Sequence, residues 1–118
     1  MTEIRDGRPA DLSRLRAIQS AALAEPWPEL LETAVQGPPA LYVLTDGRPV
    51  GYAIVVAEAD GVAYVPELAV DPDEQGLGRG SELLSWLCGR LASEGYAELR
   101  LTVQAADERA RRFYDRHG

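Results

Sequence analysis

The chain predicts an α+β domain, layered α/β/α around a mixed, mostly antiparallel sheet. Three observations carry that reading. Three β-type segments follow one another between residues 41 and 70, parted by the turn signals Asp46–Gly47 and Asp60–Gly61. Helical periodicity brackets them, over Leu12 to Ala22 before and Ser81 to Glu94 after. A last alternating segment and a last helix follow, so strands and helices interleave rather than segregate.

Taken in order, Thr2 to Arg5 reads as a short first strand. Asp11 is placed to cap a helix whose Leu12, Leu15, Ile18, Gln19 and Ala22 share one face. Pro26 and Pro28 break that pattern around Trp27. A second short helix spans Glu29 to Val35 and is ended by Gly37, Pro38 and Pro39. Leu41 to Thr45, Val50 to Glu58 and Val62 to Val70 are the three consecutive strands. Pro66 interrupts the third, and a residue with no amide hydrogen inside a strand predicts a bulge or a splayed edge. The helix from Ser81 to Glu94 is expected to bury Leu83, Leu84, Leu87, Cys88 and Leu91, and Gly95 is its natural stop. In Glu98 to Val103, Leu99, Leu101 and Val103 face one way and Glu98, Arg100 and Thr102 the other. Asp107 then caps a helix carrying Ala110, Phe113, Tyr114 and His117.

Composition narrows the function. With 118 residues and 46% hydrophobic content, the chain suits one compact domain, residues 1–118. It has no apolar stretch long enough to span a membrane, and Met1 to Gly7 is polar and unlike a signal peptide. One cysteine excludes an intramolecular disulfide and fits a reducing cytoplasm, and with a single histidine it argues against a metal site. A net charge of −7 argues against nucleic-acid binding and is compatible with a cationic substrate such as an amine.

The most informative segment is Gln75, Gly76, Leu77, Gly78, Arg79 and Gly80, which joins the third strand to the helix after it. Glycines let the backbone approach a ligand closely, and the first amides of a helix offer free N–H groups to an anion. A phosphorylated ligand is therefore expected. A Mg-nucleotide loop needs Lys and then Ser or Thr after its last glycine, whereas Gly80 is followed by Ser81 and Glu82. A dinucleotide fingerprint needs different glycine spacing and several further βα units, and only 38 residues remain after Gly80.

The segment Leu68 to Leu84 closely resembles motif A of the GNAT family of N-acetyltransferases, Gln/Arg-x-x-Gly-x-Gly/Ala, through Gln75, Gly78 and Gly80. Asp107 to Gly118 resembles the family's motif B, Asn-x-x-Ala-x-x-Phe/Leu-Tyr, with Asp107 where the family usually has Asn. Ile4–Arg5 with Ala10 to Leu12, and Gly47 to Tyr52, resemble the family's first strand and helix and its central hairpin. The family's members usually continue past the equivalent of Gly118 with two more strands. By that resemblance the domain is either C-terminally truncated or a naturally short variant, and its open sheet edge is either covered by a second copy, giving a homodimer, or leaves the protein less stable than its relatives.

The resemblance implies acetyl-CoA as co-substrate and an amine acceptor, on a small molecule or on a peptide or protein. It implies that Gln75, Gly76, Leu77, Gly78, Arg79, Gly80 and Ser81 hold the pyrophosphate, with Arg79 adding a cation. It implies that the strand before the loop splays from its neighbour, and that the main chain of Leu68, Ala69 and Val70 meets pantetheine there. Tyr114 falls at the family's general-acid position, where a phenol can protonate the leaving thiolate. Glu67 is the candidate base, its rival reading being a bulge carboxylate paired with another group. Asp107 either contacts the CoA arm or only caps its helix. Trp27 either shapes the acceptor site or packs in the core. Arg109, Arg111, Arg112 and Arg116 form a solvated face or meet the 3′-phosphate of CoA. The competing function is a non-catalytic acyl-CoA-binding or regulatory module of the same fold.

Overall fold

A computed structural model describes residues 1–57 and 61–101. Within them one sheet runs in the order β1 (Glu3–Asp6), β2 (Ala40–Thr45), β3 (Pro49–Ala57), β4 (Val62–Val70), β5 (Glu98–Leu101). The first four strands pair antiparallel and β5 joins β4 in parallel. The mixed sheet is therefore as expected. Helices α1 (Leu12–Ala22) and α2 (Pro28–Gln36) cover one face, and α3 (Arg79–Ser93) covers the other.

Both faces are covered, so the inner strands are apolar on both sides. Leu41 and Val43 of β2 join Leu15, Ile18 and Leu31 beneath α1 and α2. Tyr42 and Leu44 join Leu83, Leu87 and Leu91 beneath α3. On α3, Leu83, Leu84, Leu87 and Leu91 are buried as predicted, but Cys88 is exposed. At about 100° per residue, Cys88 lies roughly 140° round the helix from Leu83 and falls off the edge of the buried stripe. Val103 and the last predicted helix lie outside the described residues.

The interruption at Pro66 is a bulge with a consequence for side-chain direction. Ile54 pairs with Glu67 and Val56 with Tyr64, so Val55 alone stands opposite Val65 and Pro66. Ala63 and Val65 point towards α3. Strict alternation would send Glu67 and Ala69 the same way. The extra residue shifts the phase, so Ala69 enters the α1/α2 core and Leu68 packs towards α3. Glu67 is thereby aimed into the layer under α1.

Two buried aspartates tie loops to strands. Asp11 was expected to cap α1, but its side chain makes no cap bond to that helix. It accepts instead from both terminal nitrogens of Arg5, each at 2.8 Å, and from the Arg8 amide at 2.9 Å. A bidentate cation on the preceding strand is a stronger partner than a lone amide. Asp71, at the end of β4, accepts from the Asp73 amide at 3.0 Å and pairs with Arg14 of α1. The Arg5 guanidinium draws the Asp11 carboxyl below its ordinary value. The Asp73 amide, and then Arg14, do the same for Asp71. Lowered folded values mean a contribution that is full above the ordinary aspartate range of about 4 and drains away as pH falls below it. Melting temperature is expected to hold from neutral pH to about 5 and then to drop, and Asp11→Asn with Asp71→Asn should flatten that drop.

Candidate active site

The glycine segment starts where β4 ends. A short 3₁₀ turn over Pro72–Glu74 leads into Gln75. Gly76 and Gly78 then take φ values of +88° and +79°, conformations that a Cβ disfavours. The second of these forms the cap of α3, which begins at Arg79 rather than at Ser81. Gly80 accordingly sits in the first helical turn and not in the loop. A Cβ built on either Gly76 or Gly78 meets nothing within 4 Å, so the space over the loop is open. Among the described residues, no main-chain acceptor meets the amides of residues 76–80, and the first amide returned to the main chain is that of Glu82, onto the Gly78 carbonyl at 3.0 Å. The loop thus aims consecutive donors, backed by the α3 dipole, into open space.

Arg79 was expected to add a cation to this cradle. Its guanidinium is instead engaged by Asp46 of the β2–β3 turn at 2.8 Å and by Glu74 at 3.4 Å. Two carboxylates offset its charge and hold it against the hairpin, leaving the main-chain amides as the loop's open donors. The Leu77 side chain is exposed.

The strand before the loop has a second set of open groups. The Asp71 amide donates to the Val50 carbonyl at 2.8 Å, which fixes the phase of the β3–β4 ladder. Val50 and Asp71, and then Tyr52 and Ala69, are hydrogen-bonded pairs, whereas Gly51–Val70 and Ala53–Leu68 are not. Leu68 and Val70 therefore turn their N–H and C=O groups away from β3. Ala69 spends its own on β3. On that far side β5 pairs with β4 over Val62 to Val65.

Glu67 immediately precedes this stretch and is 4% exposed. One carboxylate oxygen accepts from Gln19 Nε2 at 2.8 Å and from the Tyr52 hydroxyl at 2.9 Å; the other accepts from the Trp27 amide at 2.9 Å. A carboxylate offers about four lone-pair positions, so one is left for a further donor. Burial, and next the Glu67 charge, hold the Tyr52 phenol protonated far above its usual range, so Tyr52 acts here as a fixed donor. Gln19, Tyr52 and Trp27 were not predicted as partners of Glu67. The available signal was Gln19 itself, a polar side chain on the apolar stripe of α1. Asp107 and Tyr114, the remaining predicted site residues, lie outside the described residues.

The model of the Acetyltransferase (GNAT) family matches residues 12–118. The chain belongs to the GNAT acetyltransferases. It is 36% identical over 110 residues to the [ribosomal protein bS18]-alanine N-acetyltransferase of Escherichia coli K12, covering 92% of this chain and 74% of that protein. The crystal structure of the ribosomal-protein-S18-alanine N-acetyltransferase from Escherichia coli matches all of this chain with a TM-score of 0.87 at 31% identity, over 77% of its own length. Ard1 from Thermoplasma volcanium matches 99% of the chain with the same TM-score at 25% identity, over 81% of its length. The GNAT family generally uses acetyl-CoA as co-substrate, and this member is an acetyltransferase. No helix among the described residues is long and apolar enough to cross a membrane.

Proposed function

We propose that this single-domain GNAT chain transfers the acetyl group of acetyl-CoA to a polypeptide amine, by direct attack of the neutral amine on the thioester. One observation carries the reading. The outward-turned main chain of Leu68 and Val70 runs straight into the open amides of residues 76–80, so an extended amide chain ending in a diphosphate fits both at once. The preference for a polypeptide amine is supported by relatives named for a ribosomal protein, which also support a cytoplasmic setting.

The residues divide the work by position. The amides of residues 76–80 hold phosphate oxygens at the start of α3, while that of Gln75, expected to join them, is spent on the Pro72 carbonyl at 3.3 Å. The outward N–H and C=O groups of Leu68 and Val70, flanking Ala69, hold the pantetheine amides and polarise the thioester carbonyl. Holding both partners in line is the main contribution to rate. An ammonium has no lone pair to attack with, so a base must take its proton, and Glu67 takes it through its unused lone-pair position or a water on it. Tyr114 returns a proton to the departing sulfur. Asp107 stands where motif B meets the CoA arm.

Calorimetric titration of CoA tests the donor site. Binding is expected for the natural chain. Gly78→Val puts a branched side chain at φ +79°, a strain of roughly 1–3 kcal/mol, and should weaken CoA binding by about tenfold or more. No heat from the natural chain would remove the donor assignment.

A further inference from the structure

A row of main-chain donors converges on a diphosphate only where the chain carrying it is fixed. Two of the loop's four residues, Gly76 and Gly78, are glycines at positive φ, and glycine has more main-chain freedom to lose than any other residue. Among the described residues, nothing stands within 4 Å of where a Cβ would lie on either. The loop is therefore held from its ends. At its entry the Glu74 amide donates to the Asp71 carbonyl at 2.8 Å and the Gln75 amide to the Pro72 carbonyl at 3.3 Å. At its exit the tie is a side chain: Arg79 Nη2 reaches Asp46 Oδ2 at 2.8 Å, and Arg79 Nε reaches Glu74 Oε1 at 3.4 Å.

Glu74 and Arg79 stand on either side of residues 75–78, so their pair draws the two ends of the loop together as a clasp. Asp46 is the post to which the clasp is fastened. Its own turn is closed by the Asp46 amide on the Arg48 carbonyl at 2.9 Å, and its other carboxylate oxygen takes the Met1 ammonium at 3.2 Å. The charge balance points the same way. Asp46 and Glu74 bring two negative charges to the rim of an anion site, where they repel the ligand. Affinity for phosphate alone accounts for neither of them. Holding one guanidinium in one place accounts for both. Ion pairs between partly exposed side chains add little to global stability, so the effect is local, on the geometry of the loop.

We propose that Arg79 and Asp46 are positioning residues for the donor site: with Glu74 they hold the amides of residues 76–80 in place for the diphosphate, and the Arg79 guanidinium is not itself a phosphate ligand. A loop ordered before the ligand arrives loses less freedom on binding, which is how a contact remote from the phosphate raises affinity. This inference rests on the acetyl-CoA reading above.

Calorimetric titration of CoA into Asp46 variants reads the role from the sign of the change. Were Arg79 a phosphate ligand, Asp46→Asn would release it, remove a repelling charge and tighten CoA binding. The clasp requires the opposite: Asp46→Asn weakens CoA by about tenfold, and Asp46→Glu, which can still pair, recovers most of the loss. Arg79→Met weakens CoA to a similar extent, and adding Asp46→Asn to it costs no more than about a further twofold, because the two act through one contact. Melting temperatures of the CoA-free variants stay within about 3 °C of the natural chain, whereas a general loss of folding would lower them along with affinity. Should Arg79→Met fail to fold, the sign for Asp46→Asn decides. An Asp46→Asn chain that binds CoA as tightly as the natural one or more tightly, a double variant weakened about a hundredfold, or a loss of affinity matched by a larger fall in melting temperature overturns this inference alone. A natural chain that binds no CoA overturns the donor-site reading and this inference with it.

Discussion

Glu67→Ala is expected to lower folding stability by about 3–5 kcal/mol, a large share of the 5–15 kcal/mol typical of a domain. The magnitude follows from what the substitution leaves behind. Gln19 Nε2, the Tyr52 hydroxyl and the Trp27 amide all donate to this one carboxylate. Each loses its acceptor inside a packed layer, at roughly 1–3 kcal/mol per stranded donor, and Gln19 keeps only the Trp27 carbonyl. Glu67→Gln keeps one acceptor oxygen and should cost less, about 1–3 kcal/mol, because an amide nitrogen cannot accept from the remaining donor. Urea denaturation, with the slope unchanged and the midpoint lowered, is the measurement. An alanine variant within about 1 kcal/mol of the natural chain would mean that the carboxylate does not hold the α1–α2 connection to β4. Both variants are also expected to slow acetyl transfer, and the glutamine variant, being better folded, is the cleaner probe of the base.

Tyr114→Phe is expected to slow turnover by about a hundredfold or more while leaving CoA affinity within about twofold. The substitution keeps the ring and removes one hydroxyl, so the difference reports the proton given to the departing sulfur. A role in transfer lowers kcat and kcat/KM together, whereas a role in packing would lower the melting temperature and spare kcat. Thiol release under saturating acceptor, with calorimetry of CoA on the same variant, separates the two. Normal turnover would remove the acid assignment.

Much of the local structure around the candidate site was legible in the sequence. Gly76 and Gly78 occupy positions that need positive φ, and a strand running into them can be read from Val62 to Val70, whose bounds agree residue for residue. The Asp46–Gly47 turn and the Pro66 irregularity were equally local and equally readable. Electrostatic partners were not. Arg79 belongs to the glycine motif, yet its charge is taken by Asp46, 33 residues away in the chain. Asp11 sits at a helix start, yet it serves Arg5. Cys88 keeps helical spacing with Leu84, but only packing against the sheet shows where the buried arc ends.

By itself, the sequence determined the order of elements, the glycine cradle and the family, because turn chemistry, periodicity and motif spacing act over a few residues. The tertiary structure alone decided where Glu67 points and what it holds. One extra residue in β4 opposite Val55 reverses the side-chain phase, and the pairing register that creates this reversal belongs to two strands together. Gln19, Trp27 and Tyr52 then converge on a single carboxylate across as many as 48 positions of chain, a meeting that only packing can arrange.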